Sequence, residues 1–242
     1  MKKLSKEESE RYKAHLSLCE IDLPGQQRLR QSRIAVVGAG ALASAALLYL
    51  AAAGVGMIRV IDGDTVSLSN LQRQIIHSTQ DIGLPKPQSA AAKIAALNPD
   101  VDVEPVCHML DADCALQLLA DVDVVLDCTD NYDARVLVSD TCVALGKPLC
   151  FAALSRFDGQ VMTHMPGTAH YRTVFPAPPT REQLECRSCA VSGVLNALAG
   201  IAGSMQAAEA IKIIIGAGDL LTDRMVLIDA LTFTFREVRL KN

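Results

Sequence analysis

Residues 34–64 constrain the fold of this chain more strongly than any other stretch. They open with a short apolar run, turn through Gly38 and Gly40, continue as an alanine- and leucine-rich segment, and end in a second apolar run that finishes at Asp62. This order predicts a βαβ unit, in which the glycines let the backbone approach a phosphate and the helix N-terminus offers unpaired N–H groups. Asp62 follows the second strand, where an acid can bind a ribose hydroxyl. We therefore expect a nucleotide at this turn.

A membrane span is the alternative interpretation of the same stretch. Residues 34–58 contain no charged side chain and are long enough to cross a bilayer. However, four glycines divide the run at the joints that a βαβ unit needs, and Arg59 and Asp62 follow directly. A buried parallel strand is also expected to be continuously apolar. We therefore favour the βαβ unit and expect no membrane partner.

The composition indicates a globular protein. Of the 242 residues, 50% are hydrophobic and 21% are charged, and the net charge is −4, whereas a nucleic-acid-binding surface needs a basic face. The charged N-terminus lacks the apolar core of a signal peptide, so we expect a cytoplasmic protein. Six of the eight cysteines are scattered singly, which favours reduced thiols over a disulfide framework. The remaining two, Cys186 and Cys189, form a CxxC.

Along the chain, strand and helix patterns alternate as is typical of a Rossmann-like, doubly wound, mostly parallel α/β sheet. Predicted strands occupy residues 34–37, 57–62, 101–106, 122–127 and 148–151, and predicted helices occupy residues 86–97, 112–119, 132–145 and 201–215. Residues 160–164, 224–229 and 232–240 are predicted to form an antiparallel C-terminal extension. We expect a single domain over residues 1–242, with a helical N-terminal arm at 1–31 that ends in a short basic helix at 26–31. Residues 166–190 lack a periodic element and are expected to form a mobile crossover loop.

Charged residues near the predicted turn suit a triphosphate better than a dinucleotide. Asn70 and Arg73 lie in the motif SNLQRQ, Lys86 follows Pro85, and Asp130 lies beyond the carboxyl end of a predicted strand. Ligands of open α/β sheets bind at such strand ends. Arginine and lysine would neutralise phosphate charge, and Asp130 would hold Mg²⁺ together with phosphate oxygens and waters.

Several motifs together resemble the ThiF/MoeB/HesA adenylyltransferases, the bacterial relatives of ubiquitin-activating enzymes. They are GAGALA, DGDTVSLSNLQRQ, HSTQDIGLPK, DCTDNYDAR, SRFDGQV and SCAVSGVLNALAGIAGSMQAAEAIK, and the similarity extends from about residue 11 to residue 240. The resemblance implies a homodimer that uses ATP and Mg²⁺ to adenylate the C-terminal Gly-Gly of a small ubiquitin-like sulfur-carrier protein. Pyrophosphate would be released before sulfur is transferred, with a sulfurtransferase as a further partner.

The resemblance also implies a set of functional residues. The nucleotide would contact Gly38, Gly40, Ala41, Asp62, Ser69, Asn70, Arg73, Lys86, Asp130 and Asn131. Of these, Asp62 would bind the ribose. Asn70, Arg73 and Lys86 would bind the phosphates during catalysis, and Asp130 would hold the metal. Cys189 falls where some relatives place a cysteine that captures the activated carrier or joins it through sulfur.

The sequence departs from the family pattern at three places. Relatives carry an arginine near the N-terminus that reaches the partner's triphosphate, and here that position is Ala14. Relatives also bind zinc through two CxxC pairs, whereas His170 and Thr173 stand at the first pair and no second pair follows, so we expect no structural zinc. Ala41 replaces a glycine that is common in the turn.

These departures leave two alternatives to an active adenylyltransferase. One is a nucleotide-binding but catalytically weak family member that acts as a partner subunit or regulator. The other is an NAD-dependent oxidoreductase, which would leave Arg73, Lys86 and Asp130 without a role.

Overall fold

The computed structural model describes residues 4–178 and 193–240. Its centre is an eight-stranded sheet in which β1 to β5 are parallel and β5 to β8 are antiparallel, in the order β3-β2-β1-β4-β5-β6-β7-β8. The strands are β1 (Arg33–Val37), β2 (Met57–Ile61), β3 (Asp102–Val106), β4 (Val124–Asp127), β5 (Leu149–Ser155), β6 (Asp158–His164), β7 (Arg224–Asp229) and β8 (Thr234–Arg239). The predicted doubly wound sheet with an antiparallel extension is confirmed. The strand order reverses between β1 and β4, and the crevice at that point is where such sheets bind ligands.

Helices cover both faces of the parallel part. They are α1 (Lys6–Arg11), α2 (Lys13–Leu16), α3 (Asp22–Gln31), α4 (Ala41–Ala52), α5 (Lys86–Leu97), α6 (Ala115–Leu119), α7 (Tyr132–Leu145), α8 (Tyr171–Val174) and α9 (Asn196–Ile215). Alternate residues of a strand point to opposite faces. Accordingly, Ile34 and Val36 pack with α4, α5 and α9, whereas Ala35 and Val37 pack with α6 and α7.

The membrane-span interpretation of residues 34–58 is wrong, because this stretch divides into β1, α4 and β2, and the strands are buried in the sheet. Within the described ranges, α9 is long and apolar enough to cross a bilayer, yet half of its most apolar window is buried inside the protein. It packs on α4, β5 and β6. Its composition is therefore accounted for by the core.

Two helices begin earlier than predicted. Helix α3 begins at Asp22 rather than at residue 26, because Pro24 is tolerated in a first turn and Gly25 packs closely against Ile21. Helix α9 begins at Asn196 rather than at residue 201, and it continues through Gly200 and Gly203 without a break. A Cβ on Gly203 would lie 2.2 Å from the carbonyl oxygen of Leu42 in α4.

Other boundaries also differ from the sequence prediction. Strand β5 continues from Phe151 to Ser155 because it pairs antiparallel with β6 over its whole length. Helix α6 begins at Ala115, three residues later than predicted. The loop predicted at 166–190 contains α8 in its described part, and residues 179–192, with Cys186 and Cys189, lie outside the described ranges.

Candidate functional site

The glycine turn joins β1 to α4 at the carboxyl edge of the sheet. Gly38 has a φ of +92°, which favours glycine, and a Cβ there would lie 2.7 Å from the carbonyl oxygen of Cys128. Gly40 caps α4, whose first N–H groups and positive dipole end face the crevice between β1 and β4. The turn therefore has the geometry of a phosphate-binding loop.

Asp62 holds this turn in place from the end of β2. One carboxylate oxygen accepts a hydrogen bond from the backbone N–H of Ala39 at 2.7 Å, and the other accepts one from Asp64 at 2.8 Å. The residue is only 8% exposed and lines the cavity in front of the turn. Asp62 thus supports the loop and lines the cavity, and its contact with a ribose stays a prediction.

His77 supports the turn from behind. Its Nε2 lies 2.9 Å from the carbonyl oxygen of Ala39, so this nitrogen carries the proton, and its Nδ1 accepts from the Ser89 hydroxyl at 2.8 Å. Burial lowers the pKa of His77, and the nearby charge of Lys86 acts in the same direction. The imidazole is therefore neutral in the folded protein.

Lys86 supplies a cation at the start of α5. Its side chain is 7% exposed, and its ammonium lies 2.7 Å from the carboxylate of Asp64, which is 55% exposed. The two side chains line the same cavity. A buried ammonium with one exposed partner can exchange that partner for a phosphate oxygen.

Arg73 reaches the cavity from the turn that follows a 3₁₀ helix at Leu68–Asn70. Its guanidinium donates to the carbonyl oxygen of Ser69 at 3.1 Å, and the Asn70 side chain accepts from the backbone N–H of Ser67. Ser69 and Asn70 are not among the residues that line the cavity. Their contacts shape the turn that carries Arg73.

Asp130 and Asn131 follow β4 on the opposite side of the crevice. Asn131 caps α7 by accepting from the backbone N–H of Ala134 at 2.9 Å. Asp127 is fully buried beneath them, and burial raises its pKa although Thr129 donates to it twice. Gln206 in α9 donates to the carbonyl oxygen of Asp127 at 2.7 Å, which anchors the end of β4.

The cavity brings together most of the predicted site. Its lining includes eight predicted residues: Gly38, Gly40, Ala41, Asp62, Arg73, Lys86, Asp130 and Asn131. Ser69 and Asn70 lie outside the lining, and Cys189 lies outside the described residues.

The acidic groups of the cavity suit a metal that is shared with a nucleotide. Within residues 4–178 and 193–240, no group of three or more His, Cys, Asp or Glu side chains could hold a metal ion. Magnesium commonly takes one or two carboxylates and fills its octahedron with waters and phosphate oxygens. Asp130 fits that role, and the absence of structural zinc stays a prediction.

Sequence reasoning missed several side chains that line the cavity, among them Asp64, Gln74 and Arg135. Gln74 adjoins Arg73 in SNLQRQ, and Asp64 follows Asp62 by two residues. Arg135 lies four residues after Asn131, one helical turn further along α7, and this spacing places it on the same helix face.

Comparison with known proteins identifies relatives over nearly the whole chain. The model of the ThiF family matches residues 12–242. The SAMP-activating enzyme E1 of Haloferax volcanii is 44% identical over 229 residues, which cover 95% of this chain and 84% of that protein. The sulfur carrier protein adenylyltransferase of Thermus thermophilus is 42% identical over 243 residues, which cover 98% of this chain and 89% of that protein.

The fold has a match among solved structures. The crystal structure of selenomethionine PaaA superimposes with a TM-score of 0.85 at 25% identity, and the match covers 100% of this chain and 86% of that one.

Proposed function

The chain belongs to the ThiF family, as the sequence motifs predicted, and from this premise we propose the reaction that it catalyses. It is an adenylyltransferase that joins AMP from ATP to the C-terminal glycine carboxylate of a small ubiquitin-like sulfur-carrier protein. Two relatives that share 42% and 44% of their residues with it are named as a sulfur carrier protein adenylyltransferase and a SAMP-activating enzyme E1. Both names support activation of a small carrier protein.

One observation supports the reaction most directly. Four separate segments of the chain place the glycine turn, Arg73, Lys86 and Asp130 around a single cavity at the point where the strand order reverses. Two cations, one carboxylate and a helix N-terminus match the charge distribution of a triphosphate with its metal. A nicotinamide cofactor would leave Arg73 and Lys86 without a function.

The proposal gives each part of the reaction to particular residues. Asp62 binds the ribose, and the N-terminus of α4 binds phosphate oxygens. The carrier carboxylate attacks the α-phosphorus, the bond from this phosphorus to the bridging oxygen breaks, and pyrophosphate leaves. Arg73 and Lys86 stabilise the negative charge that builds on the leaving group. Asp130 would hold Mg²⁺, which when bound offsets phosphate charge.

The finer parts of the proposal concern the assembly. We propose that residues 1–242 form one adenylation domain and that the protein acts as a homodimer in the cytoplasm. Its carrier would end in Gly-Gly, and a sulfurtransferase would be a further partner. A second copy is supported by Leu68 and Ile75, which are 70% and 63% exposed in the segment that carries Arg73. Such apolar side chains suit a surface that a partner covers.

ATP–pyrophosphate exchange, measured with and without carrier, tests the function. The carriers of thiamine and molybdopterin synthesis are supplied one at a time. Lys86→Ala is expected to lower carrier-dependent exchange by about 10²-fold, as expected for loss of one preorganised charge. Lys93→Ala is the matched control, because Lys93 lies on the same helix as Lys86 and also pairs with an acid, Asp81, but does not line the cavity. Unchanged exchange in Lys86→Ala contradicts the assignment.

A catalytically weak subunit is the second candidate, and it is favoured by Ala14. This residue is exposed on α2 and stands where relatives carry a cation. ATP binding without carrier-dependent exchange in the pure protein, together with faster exchange by an added family member, would support this candidate.

A further inference from the structure

Arg135 lies at the boundary between two adjoining cavities. The first is the nucleotide cavity described above. The second, called here the strand groove, runs over β5 to β8 and is lined by residues that include Ser155, Asp158, Gln160, Asp229, Thr234 and Arg236. Three residues line both cavities, and they are Asp130, Leu154 and Arg135. The guanidinium of Arg135 is therefore placed where a ligand in one cavity meets a ligand in the other.

The surroundings of Arg135 orient this side chain without neutralising it. Its guanidinium carbon lies 5.6 Å from the centre of the Phe151 ring, and its Nη2 donates to the carbonyl oxygen of Thr129 at 3.1 Å. Its Nε is buried and has no hydrogen-bond partner in the described part of the chain. No carboxylate of the described residues lies within 4.0 Å to form an ion pair with it.

Asp127 is a buried acid near Arg135: burial raises the pKa of Asp127, and the charge of Arg135 acts in the opposite direction. An arginine that has donors to spare, a fixed plane and no ion-pair partner within residues 4–178 and 193–240 is suited to an external anion.

We propose that Arg135 binds the terminal carboxylate of the protein substrate and holds it beside the α-phosphate of ATP. This inference rests on the proposed function, in which two anions must come into contact at the boundary of the two cavities. The planar guanidinium can grip both carboxylate oxygens and offset their repulsion from the triphosphate. The α-phosphate would lie at the glycine turn and the carrier tail would reach Arg135 along the strand groove. Attack on the α-phosphorus then starts from an oriented carboxylate.

The test compares two forms of one carrier. The carrier that supports exchange by the wild-type protein is prepared with its terminal glycine as the free acid and as the amide. Binding of each form is measured by calorimetry on protein loaded with a non-hydrolysable ATP analogue. The wild-type protein is expected to prefer the acid by about 10-fold to 100-fold, since hydrogen bonds to charged groups have this effect on affinity.

Variants at Arg135 test whether this side chain causes the preference for the acid form of the carrier. In Arg135→Ala the acid and the amide are expected to bind within about threefold of each other, and Arg135→Lys is expected to recover only part of the preference because lysine lacks the planar fork. Affinity for the ATP analogue alone is expected to stay within about threefold of the wild-type value. If Arg135 only supported the fold at the start of α7, its loss would be expected to weaken nucleotide binding as well. Arg236→Ala is the matched control, since Arg236 lines the strand groove but not the nucleotide cavity.

The outcomes separate this inference from the proposed function. If no carrier supports exchange by the wild-type protein, the proposed function is overturned. If exchange occurs but the acid preference persists in Arg135→Ala, or disappears in Arg236→Ala instead, only the role of Arg135 is overturned. Loss of affinity for the ATP analogue in Arg135→Ala with an unchanged acid preference would assign Arg135 to the nucleotide and would also overturn the inference.

Discussion

Replacement of Asp62 by asparagine tests whether this residue supports the glycine turn as well as the nucleotide. The two carboxylate oxygens accept hydrogen bonds from the backbone N–H groups of Ala39 at 2.7 Å and Asp64 at 2.8 Å. Asparagine keeps one acceptor, but its amide nitrogen faces the second N–H, so one bond is lost and two donors oppose each other. The residue is 8% exposed, so water has little access to replace the lost acceptor.

The expected magnitude follows from the loss of one charge-assisted bond. Such a bond contributes about 1.5–3 kcal/mol. In a protein of this size each kcal/mol shifts Tm by about 2–4 °C, so Asp62→Asn is expected to lower the Tm by about 3–12 °C. The same change is expected to weaken ATP binding, because it disturbs the phosphate-binding turn and removes a ribose acceptor.

The measurement is thermal unfolding without nucleotide, followed by ATP titration. The absence of nucleotide removes any contribution from the ribose contact, so the first experiment reports the turn alone. Asp111→Asn is the matched control: its carboxylate also accepts backbone N–H bonds, from Asp113 and Cys114, but the residue is exposed, so its Tm is expected to change by less than about 2 °C. An unchanged Tm in Asp62→Asn, or an equal loss in Asp111→Asn, would contradict the supporting role of Asp62.

Three further predictions concern packing, acid stability and the N-terminal arm. Gly203→Ala is expected to destabilise the protein by about 1–3 kcal/mol, because the added Cβ would lie 2.2 Å from the carbonyl oxygen of Leu42. In Gly200→Ala the added Cβ meets nothing within 4 Å, so this variant is expected to stabilise α9 by about 0.5–1 kcal/mol. Urea unfolding of both variants tests the difference, and equal effects would contradict it. Burial opposes the ionisation of Asp81, but hydrogen bonds from Ser78 and Lys93 outweigh this effect and hold the pKa of Asp81 at about 2. The ionised carboxylate therefore stabilises the protein above about pH 4, and this stabilisation is lost as the pH falls toward 2. The free energy of unfolding of Asp81→Asn is expected to fall less steeply over this range, and a slope equal to that of the wild-type protein would show that Asp81 is not responsible. Ala14→Arg is expected to raise the rate of single-turnover adenylation and Lys13→Ala to lower it, because a cation delivered to the partner's phosphates stabilises the transition state. If both variants and Arg11→Ala have the wild-type rate in a confirmed dimer, no cation from the N-terminal arm acts at the neighbouring site.

Much of the candidate site was predictable because it depends on local pattern. The turn at Gly38 and Gly40 lies between an apolar strand and an apolar helix, and each of these is recognisable without any distant contact. Asp62 and Asp130 follow strands directly, and parallel strands bring their carboxyl ends to one edge of the sheet. Arg73 and Lys86 were found through motifs, and both line the cavity.

Other parts of the site depend on contacts that no local pattern records. Ser69 and Asn70 belong to the same motif as Arg73, yet their own hydrogen bonds turn them away from the cavity lining. His77 reads as a lone histidine in the sequence, whereas in the fold it fixes the carbonyl oxygen of Ala39, 38 residues earlier. Gly203 allows α9 to approach α4 closely, a contact between distant segments that the sequence pattern does not record.

By itself, the sequence determined the βαβ unit, the nucleotide turn and the class of sheet, because hydrophobic periodicity and glycine placement act within a few residues. Only the tertiary structure decided that β5 to β8 form a groove that opens onto the nucleotide cavity. It also decided that Arg135 stands at that opening without an ion-pair partner among the described residues. The physical reason is that burial, charge pairing and the meeting of two cavities depend on side chains that are far apart in the chain and become neighbours only when the sheet assembles.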